Sequence, residues 1–154
     1  MVAELAVIRD KLTRIGQYLQ EMEPLGKRYS VEEYGANGLV KHSAERLIEL
    51  VVEAAVDING LVATLEGAPP PKDYYASFLE VGRLGVYPWP FGKQLAKTAG
   101  LRNRLAHEYE TIKDPLVYRV VKTMPALYRR YMASVHRYLF RRQAAQRKTS
   151  SGRG

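Results

Sequence analysis

Cysteine is absent from the 154 residues. No disulfide framework and no cysteine-based metal site is therefore available, and a reducing compartment is the natural setting. Long apolar runs are missing as well. Residues 1–19 mix charged and apolar side chains from the first turn, unlike the uninterrupted apolar segment of a secretion signal. No stretch approaches the roughly 20 apolar residues that a membrane-spanning helix needs. Period-two alternation is not sustained anywhere, so no strand is expected. Acids are missing from residues 141–154, where Arg141, Arg142, Arg147, Lys148 and Arg153 stand. Together these absences predict a cytoplasmic, all-helical protein with a basic C-terminal end.

Hydrophobic residues make up 46% of the chain, enough for one buried core. The formal net charge of +8 is concentrated at the C-terminus. That end reads equally as a polyanion-binding segment and as a disordered, solubilising tail. The expected division is a helical domain over 1–142 and a basic, disordered tail over 143–154.

Leu5, Ile8, Leu12, Ile15, Leu19 and Met22 alternate spacings of three and four, one apolar stripe on a first helix over 2–22. Pro24 and Gly26 are expected to end it. Ser30-Val31-Glu32-Glu33 has the form of a capping box and predicts a helical turn. A second long helix over 39–65 is apolar nearly all round and should be central. Glu49, Glu53 and Asp57 interrupt it at spacings of four and form one acidic row. A third helix is predicted over 73–84, stopped by Gly85, and a fourth from Pro88–Pro90 through Leu105. Asp114-Pro115 opens a fifth, which is expected to reach Arg142 with a kink or break at Pro125. The fold class is all-α, an antiparallel bundle of four to five helices.

The fourth helix ends in Leu101-Arg102-Asn103-Arg104-Leu105-Ala106-His107-Glu108-Tyr109. Histidine is the side chain that gives or takes a proton near neutral pH, and arginine is the best fork for a phosphate. A phosphodiester whose nucleophile is already on the substrate needs little more, and RNA carries one in its 2′-hydroxyl. At about 100° per residue Asn103 and His107 share a face, whereas Arg102 and His107 do not. Joining Arg102 to His107 requires either a break in the helix or a second copy of the site across a two-fold dimer. Without such a junction, the same residues describe a helix-end histidine beside solvated arginines.

The run Arg-Asn-x-x-x-His-x-Tyr, with Arg102, Asn103, His107 and Tyr109 in place, resembles the signature of the HepT-like toxins of the HEPN superfamily. The likeness extends to residues 50–58, to 75–84, and to the opening of the last helix at residues 114–118, and spans about residues 1–140. It implies a HEPN-like bundle and the toxin of a type VII toxin–antitoxin pair: a metal-independent endoribonuclease with no cofactor, acting as a homodimer. In that reading His107 is general base or general acid, Arg102 binds the scissile phosphate, and Asn103 orients the histidine or binds phosphate. Tyr109 is the position at which a minimal nucleotidyltransferase antitoxin attaches AMP. A bulky anion there would block the cleft and repel RNA. The alternative is a non-catalytic HEPN module that binds a nucleotidyltransferase or nucleic acid and cuts nothing.

Glu53 and Asp57 are candidates to hold Arg102 or His107, against an ordinary interhelix salt bridge. Arg104 is a candidate RNA contact, against a solvated charge. His42 and His136 are scattered and give no metal-ligand spacing. Tyr128, Tyr131 and Tyr138 lie among Arg129, Arg130 and Arg137. That pattern fits base stacking, but a packed face beside a wet one is commoner.

Overall fold

The computed structural model describes residues 1–107 and 112–152. Its helices are α1 (Val2–Lys27), α2 (Val31–Ala36), α3 (Gly38–Leu65), α4 (Tyr74–Arg83), α5 (Trp89–His107) and α6 (Asp114–Ser151). No strand occurs among the described residues. The all-α expectation therefore stands, with the short α2 added to five longer helices.

The apolar stripe of α1 is buried along its whole length, Leu5 through Met22. It packs chiefly on α3 and α6. Each such side chain stabilises the fold by about 1.5–3 kcal/mol relative to exposure. Pro24 does not end this helix, which runs on to Lys27. The proline gives up the one bond that its missing N–H would make to the Gln20 carbonyl, while its own carbonyl accepts from the Arg28 N–H at 2.9 Å. Two residues on, α1 touches α6 closely: a β-carbon on Gly26 would lie 3.2 Å from Lys122 Cγ. The Tyr118 hydroxyl, 2.5 Å from the Tyr29 carbonyl oxygen, ties the start of α6 to the end of α1.

The capping box is complete. Ser30 Oγ accepts from the Glu33 N–H at 3.1 Å, and Glu33 Oε1 accepts from the Ser30 N–H at 3.0 Å. Helix α3 is the central one, with Val40, Ile48, Val51, Val52, Ile58 and Val62 all buried. Its fully buried Asn59 is satisfied twice. Nδ2 donates to Ser77 Oγ at 3.0 Å, and Oδ1 accepts from the Tyr131 hydroxyl at 2.7 Å. Asp73 caps α4 by accepting from the Ala76 N–H at 2.7 Å. Gly85 follows with φ of +90°, a left-handed residue that only glycine adopts freely, and the chain turns back into α5.

Helix α6 begins one residue earlier than its Asp-Pro pair suggested, with Lys113 at the cap and Asp114 already helical. The Asp114 carboxylate pairs with Lys41 at 3.0 Å instead of capping. Pro125 lies within α6, buried, and the helix is not broken there. Tyr128, Tyr131 and Tyr138 are buried beside it, so this aromatic row is a packed face and not a stacking platform. The rings of Tyr128 and Tyr131 meet Phe78 edge-on at 6.5 and 6.1 Å. Residues 143–151, expected as a disordered tail, are helical and continue α6 to Ser151. After Pro125 no proline or glycine interrupts before Gly152, and Gln, Ala, Arg and Lys all favour helix.

Candidate functional site

Arg102 sits on the part of α5 that faces α3. Its Nη2 reaches Glu53 Oε1 at 3.1 Å. Its guanidinium carbon lies 4.8 Å from the centroid of the Tyr74 ring. Its Nη1 donates a long bond, 3.4 Å, to Oδ1 of Asn103. The side chain is only 19% exposed, and its Nε is buried without a hydrogen-bond partner among the described residues. An ion pair on one edge and an aromatic face therefore fix the plane of the fork.

Glu53 is thus brought to Arg102. Asp57, one turn further along α3, is not. It pairs with Lys11 of α1 at 2.8 Å and is half exposed. The acidic row fans out because successive turns of a central helix meet different neighbours. Glu49, the remaining member, pairs with Arg46 on its own helix at 3.3 Å.

His107 is the last residue of α5 and is exposed. The helix reaches it unbroken. Five residues at about 100° each leave Arg102 and His107 roughly 140° apart around one axis. Asn103, four residues before His107, is exposed and turned to Arg102. No hydrogen bond joins it to His107 among the described residues. Arg104 is half-buried on another face of α5 and forms no ion pair among the described residues. Tyr109, the expected modification site, lies outside the described residues.

Tyr74 is the residue that the sequence alone does not single out. It lies 28 positions from Arg102, and nothing local marks the two as partners. Among the described residues no group of three or more His, Asp or Glu side chains is placed to hold a metal ion. None of the described helices is long and apolar enough to cross a membrane.

Known proteins repeat this arrangement of helices. A curated relative, the tRNA nuclease HepT of Aphanizomenon flos-aquae (strain 2012/KM1/D3), is 29% identical over 136 residues, covering 88% of this chain and 92% of its own. A crystal structure of a toxin–antitoxin with AMP-PNP shares the fold with a TM-score of 0.74 at 18% identity, covering 84% of this chain and 96% of its own. The tri-AMPylated HEPN toxin of Shewanella oneidensis, solved in complex with MNT antitoxin, matches with a TM-score of 0.63 at 18% identity, covering 88% and 95%. The model of the family described as ribonuclease HepT-like matches residues 15–133, so the second half of α1, all of α2 to α5 and about half of α6 fall within it. With the Arg102–His107 segment inside that span, the chain belongs to the HepT-like ribonuclease family.

Proposed function

We propose that this chain is the endoribonuclease toxin of a type VII toxin–antitoxin pair, acting in the cytoplasm as a homodimer on RNA. The observation that carries the reading is the contrast between two side chains of one helix. Arg102 is gripped by Glu53 and Tyr74, whereas His107 stands exposed at the tip. An unbroken α5 turns them to different faces, and this supports a second copy as the way to join a guanidinium and an imidazole on one phosphodiester.

In such a cleft His107 takes the proton of the ribose 2′-hydroxyl while the 2′-oxygen attacks phosphorus. Arg102 holds the phosphate and stabilises the charge that develops on its oxygens. The bond from phosphorus to the 5′-oxygen breaks, and the protonated His107 of the second copy delivers a proton to that oxygen. The products are a 2′,3′-cyclic phosphate and a 5′-hydroxyl, and no step calls for a metal. Glu53 acts through Arg102 as a positioning residue. Asn103 steadies the same guanidinium, and Arg104 is a further contact to RNA.

A minimal nucleotidyltransferase antitoxin is the proposed partner, and Tyr109 its target. The relatives support this: one is named a tRNA nuclease, and another is a tri-AMPylated toxin bound to its MNT antitoxin. AMP groups two residues from His107 would fill the cleft with negative charge.

The test is purified chain mixed with cellular RNA in excess EDTA. Cleavage with cyclic-phosphate ends is expected, and its loss in both His107→Ala and Arg102→Ala. Undamaged RNA from folded, unmodified protein would overturn the nuclease and leave a non-catalytic module. Intact mass after incubation with the nucleotidyltransferase and ATP should rise by whole AMP units, and Tyr109→Phe should abolish the rise.

A further inference from the structure

No acid follows Asp114, so α6 carries positive charge with no negative residue beyond its first turn. Two of its arginines are neutralised by other helices: Arg129 pairs with Glu23, and Arg142 with Glu66 at 2.8 Å. The remaining cations of its last four turns point elsewhere. Arg137, Arg141, Arg147 and Lys148 are exposed and form no ion pair among the described residues.

Helical geometry sorts them. At about 100° per residue Tyr138, Arg142, Ala145 and Thr149 fall within roughly 60° of one another, and this is the side on which Tyr138 and Arg142 meet Glu66. Phe140 and Arg147 lie on the opposite side, about 20° apart. Arg137, Arg141 and Lys148 form a row within about 40°, flanking the Phe140–Arg147 line. Phe140 is 74% exposed and shares a shallow apolar hollow with His136, Arg137 and Arg141. A large aromatic in water beside a row of unpaired cations is the combination that holds single-stranded nucleic acid: stacking for a base, charge for the backbone. A lone Phe with Gln143, Gln146 and Arg147 around it offers too little apolar area for a lipid surface. The family match stops at residue 133, so this extension lies outside it.

We propose that residues 136–148 of α6 form an RNA-docking arm separate from the Arg102–His107 site, with Phe140 stacking on an unpaired base and Arg137, Arg141, Arg147 and Lys148 contacting phosphates. The proposal rests on RNA being the substrate, but it needs no cleavage and is tested by binding alone.

The protein is the full chain carrying His107→Ala, so that the probe stays intact. The probe is a mixed tRNA preparation, titrated from low to physiological salt. Replacing Arg141, Arg147 and Lys148 together by Gln is expected to weaken binding about tenfold or more. It should also lower the slope of log affinity against log salt by about one for each cation. Phe140→Ala should weaken binding several-fold and leave that slope unchanged. All four side chains are exposed, and unchanged helix content and melting temperature would confirm intact folding. An unchanged slope and affinity in the triple variant would overturn the arm, and so would a full chain that binds no RNA. Loss of binding to anionic phospholipid vesicles with RNA binding preserved would assign the cations to a membrane surface and overturn it equally. Cleavage by the unsubstituted chain alongside an unchanged slope would sink the arm but not the nuclease. Arm-dependent binding without cleavage would do the reverse.

Discussion

Arg102 and Glu53 join α5 to α3 through a 3.1 Å contact that is two-thirds or more withdrawn from solvent on both sides. Among the described residues Glu53 forms no hydrogen bond or ion pair with any other motif residue. In the proposed cleft its contribution would be the direction in which it holds a guanidinium that has one face on Tyr74.

Removing that direction should cost activity more than stability. Arg102→Ala is expected to lower RNA cleavage by about 10²–10³-fold, the usual loss for a charge-stabilising donor. Glu53→Gln, which keeps the shape but not the charge, should lower kcat by about tenfold with KM nearly unchanged. A partly exposed pair contributes about 0–1 kcal/mol. The melting temperature should therefore fall by no more than roughly 4 °C. A large drop in melting temperature with kcat preserved would make Glu53 a structural residue only.

Mixing inactive proteins should restore activity if the two groups meet across subunits. A chain carrying Arg102→Ala and one carrying His107→Ala, co-refolded, would form mixed dimers that hold one arginine and one histidine on opposite copies. Partial cleavage is expected from the mixture and none from either alone. That dimer holds a single histidine, so water must supply the proton that the second copy would give, and its rate should stay well below that of the unsubstituted protein. A mixture as active as the unsubstituted protein would overturn the division of base and acid between the two copies.

The buried polar junction that joins α3, α4 and α6 should matter to folding. Tyr131→Phe removes the donor to Asn59 Oδ1 and leaves that oxygen unpaired in a fully buried position. The expected loss is about 1–3 kcal/mol, or roughly 2–12 °C in melting temperature. Thermal unfolding followed by circular dichroism checks it.

Alkaline pH should unfold the bundle through its tyrosines. Burial pushes the Tyr87, Tyr128 and Tyr131 hydroxyls well above the ordinary tyrosine range. The folded state then keeps protons that the unfolded chain releases near pH 10. The stability from these groups is complete below about pH 10 and declines as pH rises past it. Phenolate absorbance should show a class of tyrosines that titrates only with loss of helix.

Much of this architecture is legible in the chain itself, for local reasons. A stripe at spacings of three and four can only be a helix face, so Leu5 to Met22 were assignable as core, and Ser30 with Glu33 supplied a complete cap. Helix ends were less legible at prolines. Pro24 and Pro125 both sit inside helices, because packing on neighbours outweighs the one hydrogen bond that proline cannot make. The site was half legible. Spacing placed Glu53 and Asp57 on one row, but their partners depend on which helix crosses at each height. One meets Arg102 and the other Lys11. Tyr74 beneath Arg102 left no local mark, since the contact is made only when α4 folds back beside α5.

The course of α6 has a practical corollary. From Ala145 to Ser151 every residue is exposed, and the segment offers trypsin-like proteases Arg147 and Lys148. Trimming there would leave the packed core, and hence the melting curve, as it was. A sample shortened in this way would keep its melting temperature while losing cations of the proposed arm, so the integrity of this chain is judged by weighing it.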